Sequence, residues 1–161
     1  DACNEANDQI CAEACKRAVG VMGSTMTALW LEKNEAVLLN LGDSKAFLLR
    51  DGSLNQISVE HTDRSRLEAL GITMRKPRLT QHLGIDPGEM ILEPAIWQGS
   101  FNSEDYFLLC SDGLTDMVFE SQIADILLNQ KEPSDCVRQL INIAIEQGGR
   151  DNITVIVCRI L

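Results

Sequence analysis

Four short apolar segments lie between residues 25 and 59, and turn-forming residues separate them. Runs of four to eight Leu-, Val- and Phe-rich residues bounded by such turns are typical of β-strands. Asp51-Gly52 predicts a tight hairpin, because both central residues of a type I′ turn need positive φ. The sequence therefore predicts an antiparallel meander whose strands are residues 25–32, 35–41, 45–50 and 54–59.

Helical patterns precede and follow these strands. Residues 1–19 contain neither Pro nor Gly and end at Gly20, which predicts a helix with a glycine cap. Residues 133–147 repeat apolar side chains at helical spacing, which predicts an amphipathic helix. The uninterrupted apolar run at residues 106–110 indicates a central strand buried on both faces. The other predicted elements are helices at residues 63–70 and 121–129 and strands at residues 90–97 and 153–160.

Composition excludes several classes of function. The chain has 14 Lys and Arg against 24 Asp and Glu, a net charge of −10, and no dense basic run for a nucleic-acid partner. No apolar run approaches the roughly 20 residues of a membrane helix, so we expect no membrane partner. The six cysteines lack the spacing of a tetrahedral zinc set, which favours buried or half-buried free thiols and a cytoplasmic protein.

Domain organisation follows from the absence of repeats and linkers. Neither a repeat nor a low-complexity segment divides residues 1–161, so we expect a single domain. Residues 62–78 are polar and locally basic, with Arg75 and Lys76 among them, and no strand pattern. We expect this segment to form an exposed, solvated loop, called the flap below.

Three aspartates stand beside small residues where predicted strands begin or end: Asp43, Asp112 and Asp151. Carboxylates at strand ends can meet at one rim of a sheet, where they repel one another unless a cation lies among them. Such hard oxygen ligands favour Mg²⁺ or Mn²⁺ over zinc. Taken singly, each aspartate is also explained as an ordinary turn former.

Several stretches share their order and spacing with one known family. They are Met22-Gly23-Ser24-Thr25, residues 40–46, residues 49–52, residues 79–84, residues 108–116 and residues 148–155. The sequence resembles the metal-dependent Ser/Thr protein phosphatases of the phosphatase 2C (PPM) family in its bacterial form. This resemblance covers nearly the whole chain.

The resemblance implies an α+β fold, a four-layer α-β-β-α sandwich of two antiparallel sheets flanked by helices. It also implies hydrolysis of phosphoserine and phosphothreonine by a water that two Mg²⁺ or Mn²⁺ ions activate. By resemblance, Asp112 and Asp151 would hold these core ions, and Asp43 an additional, more weakly held one. Gly113 would permit a tight turn, and Asn152 would orient the Asp151 loop. The implied partners are a phosphoprotein substrate and a Ser/Thr kinase.

The resemblance begins after the family's first segment, which carries a phosphate-clamping Arg and an Asp that bridges both ions. No catalytic residue is therefore assigned in this chain, and we expect these residues alone to be inactive or weakly active. A truncated form, a proteolytic fragment and a degenerate paralogue would all share this sequence pattern. Lys45 also stands where the family usually has Arg, giving a point charge in place of a bidentate fork.

Two other functions compete with this interpretation. A serine esterase would use Ser44 as its nucleophile, but neither histidine follows an Asp at the spacing such enzymes commonly show. We expect structural or surface roles for His61 and His82. The stronger alternative is a non-catalytic, phosphatase-like binding or regulatory domain.

Overall fold

The computed structural model describes residues 2–74, 76–130 and 132–161. The predicted start of the first helix at Asp1 and the predicted flap residue Arg75 lie outside these ranges. The helices are α1 (Ala2–Lys16), α2 (Arg64–Ala69), α3 (Asp112–Thr115), α4 (Glu120–Asn129) and α5 (Pro133–Glu146). The strands are β1 (Met26–Glu32), β2 (Glu35–Leu41), β3 (Lys45–Arg50), β4 (Ser53–Gln56), β5 (Ala95–Ser100), β6 (Tyr106–Cys110) and β7 (Val155–Arg159).

Two antiparallel sheets form the centre of the molecule. One sheet has the strand order β1-β2-β5, and the other has the order β4-β3-β6-β7. All five residues of β6 are buried, and β6 has a neighbour on each side, so the prediction of a central strand is confirmed. The predicted α+β architecture of two antiparallel sheets with flanking helices is also confirmed. The single-domain organisation stays a prediction.

The predicted continuous meander is wrong at one point, because β2 and β3 belong to different sheets. Ala36 and Leu38 of β2 share a buried cluster with Ala46 and Leu48 of β3. Strands whose side chains meet across a core face each other between sheets, so their backbones do not pair. The chain therefore crosses from one sheet to the other between β2 and β3. The hairpin between β3 and β4 is confirmed, with φ of 50° at Asp51 and 78° at Gly52.

Side-chain hydrogen bonds explain why one predicted strand is displaced. The strand expected at residues 90–97 begins at Ala95 instead and continues to Ser100. Gln81 donates to the Ile91 carbonyl (3.2 Å) and accepts from the Glu93 amide (3.2 Å). The Gln81 side chain thus takes backbone groups that a strand would use in pairing.

Two further boundaries move for local reasons. The strand expected at residues 54–59 ends at Gln56, because the amides of Ile57 and Ser58 both donate to the Ala46 carbonyl, as in a bulge. The first helix ends at Lys16 rather than near Gly20. Ala18 there has a φ of 53°, and the Val19 amide donates to the Ala14 carbonyl, which caps the helix.

The core has two layers of apolar side chains. Between the sheets, Phe107 and Leu109 of β6 pack with Leu38 of β2. On the outer face of the four-stranded sheet, α4 and α5 bury a second cluster that includes Leu127 and Leu140. Among the described residues, no helix combines the length and apolar character needed to cross a bilayer. The six cysteines are free thiols, as expected. The expectation that all of them are buried or half-buried is wrong for Cys15, which is exposed.

Arg50 at the end of β3 forms an ion pair with the buried Asp105 and a hydrogen bond to the other sheet. The Arg50 guanidinium donates to the Asp105 carboxylate, with its shortest N–O distance at 2.6 Å, and to the Ser100 carbonyl at the end of β5 (2.7 Å). Asp105 is 3% exposed and also accepts from the Asn102 amide (2.7 Å). Burial raises the pKa of Asp105, but hydrogen bonds from Arg50 and Asn102 and the Arg50 charge together hold it below its ordinary value.

We expect Arg50→Ala to lower the free energy of unfolding by about 3 kcal/mol, because it leaves a buried carboxylate unpaired. Urea unfolding at neutral pH measures this loss. Arg138→Ala is the matched control, since Arg138 pairs with Asp135 on the surface and should change stability by no more than about 0.5 kcal/mol. Equal losses in the two variants would contradict the role given to Arg50.

The same pair predicts that the difference in unfolding free energy between the parent and Arg50→Ala depends on pH. The depressed pKa of Asp105 adds stability above the unfolded value of about 3.9, and that stability is lost as pH falls through the folded value. Without Arg50, burial favours the protonated carboxyl. The stability gap should therefore shrink between about pH 7 and about pH 3, and a constant gap would count against the pair.

Candidate metal centre

The sheet register brings the three predicted aspartates to one rim. In the four-stranded sheet Lys45 pairs with Cys110, and Cys110 pairs with Val155. The start of β3, the end of β6 and the start of β7 therefore lie side by side. Asp43 precedes β3, Asp112 follows β6, and Asp151 precedes β7.

Asp112 and Asp151 share one cation, the ammonium group of Lys76. Lys76 Nζ lies 3.0 Å from Asp112 Oδ2 and 2.7 Å from Asp151 Oδ2. The hydrogen bonds to Asp151 and then to Asp112 raise the pKa of Lys76. The Lys76 hydrogen bond, followed by one from the Asn152 amide, holds the pKa of Asp151 below its usual value. Two carboxylates from distant parts of the chain thus neutralise a single positive charge.

Asp43 lies within electrostatic reach of Asp112. Burial is the first cause of the raised pKa of Asp43, and the charge of Asp112 is the second. Asp43, Asp112 and Lys76 line one small cavity. Across residues 2–74, 76–130 and 132–161, however, no three acidic, histidine or cysteine side chains stand in position to enclose a metal ion. The metal-binding roles of the three aspartates stay a prediction.

The Asp112 turn and the Asp151 loop are joined by Ser111. Its hydroxyl donates to the Asn152 carbonyl (3.1 Å) and accepts from the Thr154 amide (3.0 Å). The Ser111 amide also donates to the Thr154 carbonyl (3.1 Å). These bonds fix the spacing between the two loops that carry the aspartates.

Gly113 is where these loops come closest. A Cβ atom at Gly113 would lie 2.2 Å from the Asn152 carbonyl oxygen, so any larger residue would push the loops apart. Gly113 is not among the residues with positive φ, so the need for glycine comes from this approach and not from an unusual turn. Asn152 acts here through its backbone: its carbonyl accepts from Ser111, and its amide donates to Asp151 Oδ1 (2.8 Å).

Three residues at this rim were missed by the sequence reasoning. The sequence predicts Lys76 in a solvated flap, yet its ammonium reaches both aspartates. Asp116 lines the same cavity as Asp43 and Asp112, one helical turn after Asp112. Ser111 belongs to the motif at residues 108–116, but its sequence context does not indicate that it joins the two loops. The i, i+4 spacing could have indicated Asp116, but nothing in the local sequence indicates where Lys76 points.

Other polar residues at the rim already have partners. Lys45 pairs with Glu60 at 3.2 Å, and both side chains are about one-fifth exposed. The Ser44 hydroxyl lies 2.8 Å from Thr25 Oγ1, and His61 Nδ1 accepts from the Gly42 amide. The described contacts therefore give Ser44 no histidine base, and the esterase interpretation finds no support.

A larger cavity lies away from this rim. Its volume is about 640 Å³, and it is lined by one side of α1, by residues 19–22 and by part of the segment 82–89, with Cys11, Cys15 and His82 among the lining residues. None of the three aspartates lines it. The chemistry of hard oxygen ligands belongs to the sheet rim instead.

Sequence comparison finds bacterial phosphatases. The chain is 35% identical over 143 residues to the serine/threonine phosphatase stp of Listeria welshimeri, covering 84% of this chain and 56% of that protein. It is 34% identical over 149 residues to the serine/threonine protein phosphatase PstP of Mycobacterium tuberculosis, covering 87% of this chain and 28% of that protein. The chain thus spans about half, or less, of the length of these curated relatives.

Structural comparison agrees. The serine/threonine phosphatase of S. agalactiae superimposes with a TM-score of 0.88 at 26% identity, over 99% of this chain and 68% of that one. The catalytic domain of PstP in complex with two manganese ions gives a TM-score of 0.80 at 33% identity, over 94% of this chain and 65% of that one.

The family model described as protein phosphatase 2C matches residues 2–153, nearly the whole chain. Together with the relatives and the two-sheet fold, this match confirms the resemblance found in the sequence. The chain belongs to the protein phosphatase 2C family of bacterial Ser/Thr phosphatases.

Proposed function

We propose that this chain supplies part of the metal centre of a phosphatase that hydrolyses phosphoserine and phosphothreonine in proteins with Mg²⁺ or Mn²⁺. The observation that carries the proposal is the sharing of one cation by Asp112 and Asp151. The Lys76 ammonium is a stand-in for a metal ion there, because it is a positive charge bound by two carboxylate oxygens. The donor set of hard oxygen atoms is the one that Mg²⁺ and Mn²⁺ prefer.

In this proposal the aspartates bind different metal ions. Asp112 and Asp151 would hold the core ions, and Asp43 an additional one beside Asp112. Asp116, which lines the same cavity, adds a further oxygen donor. When bound, such ions lower the pKa of a water and neutralise phosphoryl oxygens.

The chain's own residues prepare the site in three ways. The Asn152 amide binds Asp151 Oδ1, which leaves Oδ2 directed at the cation position. Ser111 and Gly113 set the spacing of the two loops. The net charge of −10 repels a phosphate ester, so a strong local positive charge is required for the substrate to approach.

The proposed partners follow from this activity. A phosphoprotein is the substrate, and a Ser/Thr kinase is the enzyme that would phosphorylate it. The relatives are named serine/threonine phosphatases, which supports this substrate class. The six free cysteines support a reducing compartment, and we propose the cytoplasm.

One observation favours the alternative of a non-catalytic, phosphatase-like domain. Lys76 satisfies both carboxylates and could serve as their permanent counter-ion, so that the rim needs no metal. The two functions differ in what a divalent ion does: it displaces Lys76 in the first and does not bind in the second.

Removing the Asp112 carboxylate should strongly weaken metal binding. We expect Asp112→Asn to weaken Mn²⁺ binding at least about 100-fold, because replacing a ligand costs no less than replacing the groups that support it. Calorimetric titration of the chain with Mn²⁺ measures the binding. Asp125→Asn on the exposed side of α4 removes the same charge and should leave the Mn²⁺ affinity unchanged. Unchanged affinity in Asp112→Asn would overturn the proposed site.

Removing Lys76 separates the two candidate functions. Lys76→Met keeps most of the side-chain stem but removes the competing charge, so we expect Mn²⁺ to bind about tenfold more tightly. Electron paramagnetic resonance of free Mn²⁺ measures the change. Lys16→Met on exposed α1 is the control and should leave the affinity as it was. The non-catalytic alternative instead predicts lower stability in Lys76→Met and no Mn²⁺ binding in either form.

A further inference from the structure

We propose that His61 is a positioning residue that sets the turn carrying Asp43. The inference rests on the proposed function, because the turn matters there as a holder of the additional ion. His61 touches neither aspartate of the Lys76 pair in any described contact. Its effect would pass through the backbone of Gly42.

His61 binds both polar groups of the Gly42 backbone. The Gly42 amide donates to His61 Nδ1 at 3.1 Å, and the His61 amide donates to the Gly42 carbonyl at 2.9 Å. A histidine that accepts at Nδ1 in its neutral form carries its proton on Nε2. One residue therefore fixes the peptide groups on either side of the Gly42 α-carbon, immediately before Asp43.

The turn needs this support because glycine leaves its backbone free to rotate, and because it places Asp43 near a like charge. Gly42 has a φ of 111°, and a Cβ there would lie 2.4 Å from Thr25 Cγ2. Asp43 follows at once, half-buried and facing the charge of Asp112. If this backbone could rotate freely, the Asp43 carboxylate would move away from its position beside Asp112.

In the described contacts, the Gly42 carbonyl accepts a second hydrogen bond, whereas the Gly42 amide has only His61 as its acceptor. The buried Asn40 side chain donates to the Gly42 carbonyl (3.2 Å) and to the Val59 carbonyl (2.9 Å). Replacing the His61 side chain would leave both the residue-61 amide and Asn40 on the Gly42 carbonyl, whereas the Gly42 amide would lose its described acceptor. The imidazole therefore matters most through Nδ1.

His61 also connects this turn to the segment that carries Lys76. The Thr80 amide donates to the His61 carbonyl at 2.9 Å, and Thr62 and Leu79 form a bridge beside it. Lys76 lies four residues before Thr80. The Asp43 turn and the segment that carries Lys76 are thus both hydrogen-bonded to His61.

Replacements that move the acceptor test the assignment. The Oδ1 atom of Asn lies near the position of Nδ1, whereas the Oε1 atom of Gln reaches toward that of Nε2. We expect His61→Ala and His61→Gln to weaken the Asp43-dependent Mn²⁺ step about tenfold, within the range seen for groups that orient metal ligands. His61→Asn should restore it to within about threefold of the parent. His82→Gln, whose parent side chain contacts the Leu83 carbonyl, is the control and should have no effect.

Metal titrations of the full chain identify the step concerned. Asp43→Asn marks the weaker Mn²⁺ step, and Asp112→Asn marks the core step. His61→Ala should weaken the weaker Mn²⁺ step, as Asp43→Asn does, and should leave the core step unchanged. Should His61→Ala fail to fold, the Asn and Gln variants decide, because they differ in where the acceptor lies.

A second measurement needs no metal. In ¹⁵N-labelled protein, the hydrogen bond between the Gly42 amide and His61 Nδ1 should give a ¹⁵N–¹⁵N coupling across it, and Gly42 amide exchange should speed up in His61→Gln. Absence of the coupling, or equal Mn²⁺ affinity in the Ala, Gln and Asn variants, would overturn the inference while leaving the core step intact. If the parent chain shows no core Mn²⁺ step at all, the proposed function is overturned, and this inference with it.

Discussion

Electrostatic repulsion between carboxylates is the constraint on which the rim of the four-stranded sheet depends. Asp112 begins α3 and Asp151 follows α5, and a fold that brings these carboxylates together must place a cation between them. In this structure the cation is Lys76, a residue from a third part of the chain. Two acidic loops and a basic segment therefore meet at one cation, above a core that is held by apolar packing.

The backbone around the rim limits how far these groups can move. Ser111 joins the Asp112 turn to the Asp151 loop, and the approach at Gly113 leaves no room for a side chain. On the other side, His61 holds the turn before Asp43. The ion pair of Arg50 and Asp105 fastens the far end of the same sheet, where no metal chemistry is proposed. The acidic groups are thus placed by rigid neighbours, which is the arrangement that a binding site requires.

The sequence predicted the strands, the helices α1, α2, α4 and α5, and the rim aspartates, because the residue patterns that indicate them are local. Asp51-Gly52 fixed a hairpin, and the apolar run at residues 106–110 identified the central strand. It did not predict which sheet each strand joins, since β2 and β3 are equally apolar and only the shared core separates them. The displacement of β5 depends on Gln81, a side chain more than ten residues away. The position of Lys76 depends likewise on long-range packing, which periodicity does not encode.

Anomalous diffraction from crystals soaked in Mn²⁺ tests the central claim most directly. A site that exchanges one cation for another should show a manganese peak between the carboxylates of Asp112 and Asp151, with the Lys76 ammonium withdrawn from both. Crystals in which Lys76 still bridges the two carboxylates at high Mn²⁺ concentration, with no peak at the rim, would contradict it.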